Sequence, residues 1–109
     1  MSDDTYCAQD TGWRMGASAP AKFTTEGKFL KADLCTWAKD ETITVGAGAD
    51  CPEELGAVLE GEFELTCGDE SYVLSAGMGI VVPPREAHTW RARSQNAVLY
   101  RVFGPKPNG

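Results

Sequence analysis

From residue 28 onward the chain is a succession of short runs rich in Val, Ile, Leu, Tyr and Phe, separated by Gly, Pro, Asp or Asn. Each run is long enough for one strand, and each interruption carries residues that favour turns, a pattern typical of β-sandwiches and β-barrels. No stretch has the apolar spacing of an amphipathic helix. We therefore expect an all-β domain with strands near residues 28–37, 41–46, 55–60, 62–67, 71–75, 79–82, 88–93 and 96–103.

The segment Glu62–Cys67 shows the clearest alternation of apolar and polar residues. Successive side chains of a strand point to opposite faces, so this segment predicts one buried and one solvent-facing side. Gly61 and Gly68 fall between strand-like runs, where glycine supplies the positive φ that tight hairpins require. Both positions predict turns.

A chain of 109 residues, 42% hydrophobic and 24% charged, has the size and composition of one globular domain. Residues 1–27 lack sustained periodicity, and we expect an N-terminal arm there. The predicted barrel occupies residues 28–104. The tail 105–109 is rich in Pro and Gly and is expected to fray.

The net charge of −6 argues against a nucleic-acid partner and against binding to anionic membranes, because both need clustered Lys and Arg. The chain begins with an acidic segment, and no run is apolar enough to cross a bilayer. We therefore expect a cytoplasmic protein. The four cysteines form no CxxC pair, which favours reduced, mostly buried thiols.

Two segments carry the spacing of a known pair of motifs. In EELGAVLEGEFEL, Glu54 is followed after six residues by Gly61, and in GMGIVVPPREAHTW, Gly77 is followed after five residues by Pro83 and then by His88. Together they resemble the motifs G-x5-H-x-H-x3,4-E-x6-G and G-x5-P-x-G-x2-H-x3-N of the cupin superfamily. The resemblance covers about residues 40–103. It implies a cupin-type double-stranded β-helix, or jelly-roll barrel, as a single domain.

The chain departs from the family pattern at the two histidines of the first motif. Counting back from Glu54 places Gly48 and Asp50 there, or Ala47 and Ala49 under the longer spacing. The sequence contains one histidine, so a three-histidine metal centre is excluded. In the second motif, Arg85 stands where glycine is usual and Ala92 where asparagine is usual.

The resemblance makes His88 and Glu54 the candidate catalytic residues and the first candidate metal ligands. Asp50 could replace an imidazole with a carboxylate oxygen, and Cys51 could offer a thiolate. Such a set would suit one divalent transition metal, namely Fe, Mn, Ni or Zn. A metal-free site, in which His88 and Glu54 exchange protons, is an equally open alternative.

Four further residues are candidates for ligand binding. Trp90 follows His88 by two positions and is expected on the same face, where its ring could form a pocket wall. Trp37 and Tyr100 could do the same, or could belong to an ordinary apolar core. Arg85, in the loop before His88, could grip an anionic substrate together with Arg91 and Arg101, or these arginines could lie on the surface.

These residues leave three functions open. The first is binding of a small polar metabolite in the barrel, with or without a divalent metal. The second is a small isomerase, lyase or hydrolase that uses His88 and Glu54 for proton transfer. The third is a structural domain without a ligand, in which side chains fill the cavity. In each case we expect a homodimer, because an open sheet edge needs cover.

Overall fold

The computed structural model describes residues 22–46 and 51–105 of the chain. This part contains nine strands and no helix, so it has no helix that could span a membrane. The strands are β1 (Lys22–Glu26), β2 (Lys31–Trp37), β3 (Thr42–Val45), β4 (Glu54–Glu60), β5 (Glu62–Cys67), β6 (Glu70–Ser75), β7 (Gly79–Val82), β8 (His88–Ala92) and β9 (Ala97–Phe103).

The strands form two antiparallel sheets. One sheet has five strands in the order β1-β2-β9-β4-β7, and the other has four in the order β3-β8-β5-β6. Strands that follow one another along the chain, such as β7 and β8, are often placed in different sheets. The sheets pack face to face as a jelly-roll barrel, and the predicted all-β fold is confirmed.

The two glycine turns form as the sequence indicates. Gly61 and Gly68 have φ values of 76° and 58°, in the left-handed region that glycine adopts at little cost. Gly68 lies in the two-residue loop between Cys67 and Glu70, which pair directly across the β5–β6 hairpin. The alternation in β5 also holds, with Phe63 and Leu65 completely buried.

The core lies between the sheets, and both sheets contribute to it. Its centre is a row of three aromatic rings. Phe63 makes edge-to-face contacts with Trp37 on one side and with Trp90 on the other, at centroid distances of 5.2 and 6.2 Å. Aliphatic side chains from both sheets complete the core, namely Val58, Leu65, Leu74, Val82, Ala92, Ala97 and Leu99.

Each of the eight predicted strands has a counterpart within three residues at either end. The additional strand, β1, lies inside the segment 1–27 that the sequence predicts as an arm. It pairs along its whole length with β2, which the short run KFTTE does not indicate by itself. Residues 1–21 and 106–109 lie outside the described part, so the arm, the tail and their boundaries stay predictions.

Arg85 adopts an unusual backbone conformation in the loop between β7 and β8. Its φ is 65°, a value that costs an L-residue about 1–2 kcal/mol relative to glycine. This is the position at which the family motif has glycine. The shape of this turn therefore explains why the family motif has glycine at this position. Arg85 adopts the same turn, but with backbone strain.

Replacing Arg85 should reveal this strain. Arg85→Gly should be more stable than Arg85→Ala by about 1 kcal/mol, because both remove the same side chain and only glycine relaxes the backbone. Urea unfolding of the two variants measures the difference. Equal stabilities would show that the conformation costs nothing at this position.

Candidate functional site

Glu54 is the first residue of β4, and its carboxylate points between the two sheets. It is 1% exposed, an unusual degree of burial for a glutamate. A buried carboxylate is tolerated only when both oxygens have partners. Its surroundings therefore define the site.

Two side chains of β8 cross from the opposite sheet to reach this carboxylate. His88 Nε2 lies 2.8 Å from Oε1, and the Trp90 indole Nε1–H donates to Oε2 at 2.8 Å. His88 and Trp90 are two positions apart, so strand alternation puts them on the same face. The predicted common face of His88 and Trp90 is thus observed. The contact between His88 and Glu54 joins residues that are 34 positions apart along the chain.

The hydrogen bonds of His88 fix the number of protons in the site. Nδ1 lies 2.8 Å from the carbonyl oxygen of Glu86, which can only accept, so Nδ1 carries a hydrogen. The short Nε2 to Oε1 contact requires one more proton between His88 and Glu54. The pair therefore holds a shared proton, as an imidazolium and a carboxylate or as their neutral forms.

Arg101 and Asp33 extend the pair into a chain of four ionisable side chains. The Arg101 guanidinium, 8% exposed as a residue, contacts both Asp33 oxygens at 3.3 and 3.4 Å. Its NH1 atom is 3.7 Å from Glu54 Oε2. With His88 protonated, the charges alternate along Asp33, Arg101, Glu54 and His88 and sum to zero. We call these four residues the buried charge chain.

The charge chain sets the protonation of His88. Burial by itself lowers the pKa of His88, but the hydrogen bonds to Glu54 and to the Glu86 carbonyl, together with the negative charge of Glu54, raise it by more. The nearby Arg101 opposes this only weakly. The net result is a pKa above the usual value of 6.5, which favours the imidazolium.

Gly56 makes the Trp90 contact possible. It lies two residues after Glu54 on the same face of β4, and a Cβ atom there would fall 2.3 Å from the Trp90 ring. The indole thus occupies the space that a side chain would take. Gly56 positions Trp90 and, through Trp90, the Glu54 carboxylate.

The described residues do not fit a metal centre. Glu54 and His88 are hydrogen-bonded to each other. No third His, Cys, Asp or Glu side chain in residues 22–46 and 51–105 joins them in a group that could hold a metal ion. Cys51 is buried, with its Sγ 3.9 Å from the Pro52 carbonyl oxygen. Arg101 brings a positive charge close to Glu54, which opposes a bound cation. Asp50 lies outside the described residues.

The remaining candidates are not brought to Glu54. Trp37 is buried in the aromatic row and lines a small cavity of about 180 Å³ beside Cys35 and Glu41. Tyr100 alternates with the inward-pointing Arg101 and is exposed on the outer face of the five-stranded sheet. Arg85 is exposed in its loop, where its backbone N–H donates to the Cys51 carbonyl. The ligand-binding roles of these residues stay predictions.

Asp33 and Gly56 were not predicted from the sequence, and Arg101 was named only as a possible contact for an anionic substrate, without its link to Glu54. The sequence does carry a signal for Asp33 and Arg101, because each is a charged residue at an inward position of a strand that is otherwise largely apolar. Their pairing depends on the register of β2 with β9, which sets Asp33 directly opposite Arg101. Gly56 has no comparable signal, since its role depends on a ring from the other sheet.

A cleft of about 460 Å³ is lined in part by Arg101. It is formed by the β1–β2 turn, the start of β2, Pro52 and the end of β9 with residues 104 and 105. Asp33 and Arg101 belong to both the cleft and the charge chain. We call this space the Arg101 cleft.

The comparisons with known proteins are consistent with this architecture. The sequence profile of the cupin domain matches residues 42–103, more than half of the chain. The chain belongs to the cupin family. A search of curated protein sequences finds no match.

Several solved cupin structures share the fold. KdgF from Halomonas sp. has a TM-score of 0.70 at 20% identity, over 78% of this chain and 77% of that chain. An RmlC-like cupin from Shewanella frigidimarina has a TM-score of 0.65 at 24% identity, over 77% and 74%. The cupin domain of an XRE family transcriptional regulator from Enterobacter cloacae has a TM-score of 0.60 at 16% identity, over 78% and 97%. At these identities the similarity establishes the fold alone.

The packing of Trp90 against Gly56 can be tested directly. Gly56→Ala should lower the free energy of unfolding by about 1–3 kcal/mol, because the new Cβ overlaps the indole ring. Gly46→Ala is the matched control, since nothing lies within 4 Å of a Cβ there. Chemical denaturation followed by tryptophan fluorescence measures both. A Gly56→Ala variant as stable as the control would contradict this account of Trp90.

The raised pKa of His88 predicts how stability depends on pH. A group whose pKa is higher in the folded than in the unfolded protein contributes stability below its unfolded value, about 6.5, and loses it as the pH rises through the folded pKa. The free energy of unfolding should therefore fall as the pH rises above about 6.5. In His88→Gln this component should be absent. Parallel curves for the two proteins, measured by urea unfolding, would refute the assignment.

Proposed function

We propose that this cupin is a metal-independent binding module that takes up a small polar molecule in the Arg101 cleft. The observation that carries the proposal is the position of Arg101. Arg101 lines an open cleft, and its guanidinium approaches the buried Glu54 carboxylate. A ligand in the cleft can therefore contact the site without entering the core.

The size of the cleft and the packing of the core support this location. A volume of about 460 Å³ lies in the usual range for small-molecule sites. The centre of the barrel, by contrast, is occupied by Trp37, Phe63 and Trp90. The proposed site thus lies beside the barrel core, whereas the sequence led us to expect a ligand site inside the barrel.

Metal independence is supported by the Glu54–His88 pair. In the family motifs these two positions carry metal ligands, and here they contact each other at 2.8 Å. A protonated His88 supplies the positive charge that balances Glu54. In this proposal a proton therefore neutralises the carboxylate in the way a cation would.

The enzyme alternative finds less support in the geometry. The side chains of Glu54 and His88 are each 1% exposed, so neither can touch a substrate in the described arrangement. A general acid or base must come within hydrogen-bonding distance of the group it serves. Proton transfer would require Arg101 to move away first.

The similarity to the cupin domain of a transcriptional regulator from Enterobacter cloacae is consistent with a binding role, although it establishes only the fold.

We also propose that the protein forms a homodimer. Its support is the outer face of the five-stranded sheet, where Leu55, Val81 and Tyr100 are exposed. Leu55 and Val81 are direct neighbours across β4 and β7. Such apolar sheet faces are commonly covered by a partner. A cytoplasmic location likewise stays a prediction.

Metal analysis of the purified protein tests this proposal. Protein from cells supplied with Fe, Mn, Ni and Zn should contain well under one equivalent of any of them, because only two suitable donors converge within residues 22–46 and 51–105. Glu54→Gln and His88→Gln should not change the metal content. Glu53→Gln, an exposed neighbour of Glu54, is the control.

One equivalent of metal that disappears in His88→Gln and persists in Glu53→Gln would overturn metal independence. It would favour the catalytic alternative, in which His88 and Glu54 act as ligands.

A further inference from the structure

We infer that the Arg101 cleft is built for a small organic carboxylate with an apolar body. This inference rests on the proposed binding function and specifies the class of its ligand. It is carried by the charges, the aromatic side chains and the exposed lysines of the cleft.

The cleft is locally more positive than the rest of the protein. Its lining includes three cationic side chains, Lys28, Lys31 and Arg101, against two carboxylates, Glu26 and Asp33. The whole chain carries a net charge of −6. A local excess of positive charge on an acidic protein attracts a monoanion to this position.

Part of the cleft wall is apolar. Phe29 is 66% exposed and Leu30 is also exposed, although both are large hydrophobic residues. Phe103 and two prolines complete this apolar part. Exposed apolar side chains grouped around a cavity indicate a ligand that buries them.

Cations and aromatic rings are paired within the cleft. Lys28 Nζ lies 5.4 Å from the centre of the Phe29 ring, and Arg101 Cζ lies 5.0 Å from the centre of the Phe103 ring. Each positive charge thus lies beside an apolar surface. A ligand that joins a carboxylate to a hydrocarbon body matches both parts at once.

Arg101 is already paired with the two carboxylates of the buried charge chain. Its Nε and NH2 atoms are directed at Asp33, while NH1 makes no hydrogen bond within residues 22–46 and 51–105 and lies 3.7 Å from Glu54. A guanidinium can bind two carboxylates along different edges. NH1 faces Glu54, so the exposed Lys28 and Lys31, which line the cleft, are the expected direct contacts for the ligand anion.

Benzoate is the simplest probe that has both features. Titration of the full-length protein, followed by NMR, should shift backbone signals of Lys28, Phe29 and Gly104, with a Kd on the order of 1 mM. Benzyl alcohol and benzylamine, which keep the ring and change the charge, should bind at least about tenfold more weakly. Acetate, which lacks the ring, should also bind more weakly.

Variants of the exposed lysines test the charge requirement without disturbing the core. Lys28→Gln combined with Lys31→Gln should weaken benzoate binding about 5- to 10-fold and leave benzyl alcohol unaffected. Lys39→Gln, in the exposed β2–β3 turn outside the cleft, should change neither. Benzoate binding should also weaken as the salt concentration rises.

The possible failures are distinguishable. If benzyl alcohol or benzylamine shifts the cleft signals as strongly as benzoate, the ligand class is wrong while the binding function stands. If none of the four probes shifts a cleft signal at about 20 mM, far above the expected Kd, both proposals are overturned. Benzoate binding that is insensitive to the double lysine variant would also overturn the carboxylate inference.

Discussion

The Glu54 carboxylate connects the two sheets of this barrel. It extends from β4 in the five-stranded sheet, and its two oxygens are bonded by His88 and Trp90 of β8 in the four-stranded sheet. A carboxylate that is 1% exposed would be strongly unfavourable without such partners. The same residue meets Arg101 and, through it, Asp33. The core around Trp90 and the cleft beside Arg101 are therefore arranged around one buried negative charge.

This arrangement explains how a cupin can retain two motif positions after losing the rest of its metal-binding set. Removing one partner of a buried ion pair leaves the other charge uncompensated, which is more costly than losing both. Glu54 and His88 can thus be retained together for stability, with Arg101 and Asp33 balancing the remaining charge. The proposed ligand site then lies at the Asp33–Arg101 end of the charge chain, because these two members line the cleft.

Much of the fold could be predicted from the sequence, because strands and turns depend on local patterns. The alternation in β5 and the glycine turns at Gly61 and Gly68 are local, and both are observed. The meeting of Glu54 and His88 followed from the resemblance to the cupin motifs. Arg101 could be named as a possible anion contact, but its contacts with Asp33 and Glu54 could not be predicted, because they depend on the register of β9 with two other strands. The filling of the barrel centre was one of the alternatives that the sequence left open, since Trp37 suited an ordinary core as well as a pocket wall and Trp90 was expected in a pocket wall.

The most direct test of the shared proton is the titration of His88 by NMR. It is the single histidine of the chain, so its imidazole signals are unambiguous. The account predicts that its pKa lies above 6.5 in the wild-type protein and that it falls in Glu54→Gln, where the carboxylate is replaced by a neutral amide. A wild-type pKa at or below 6.5, or one that Glu54→Gln leaves unchanged, would contradict the ion pair at the centre of the structure.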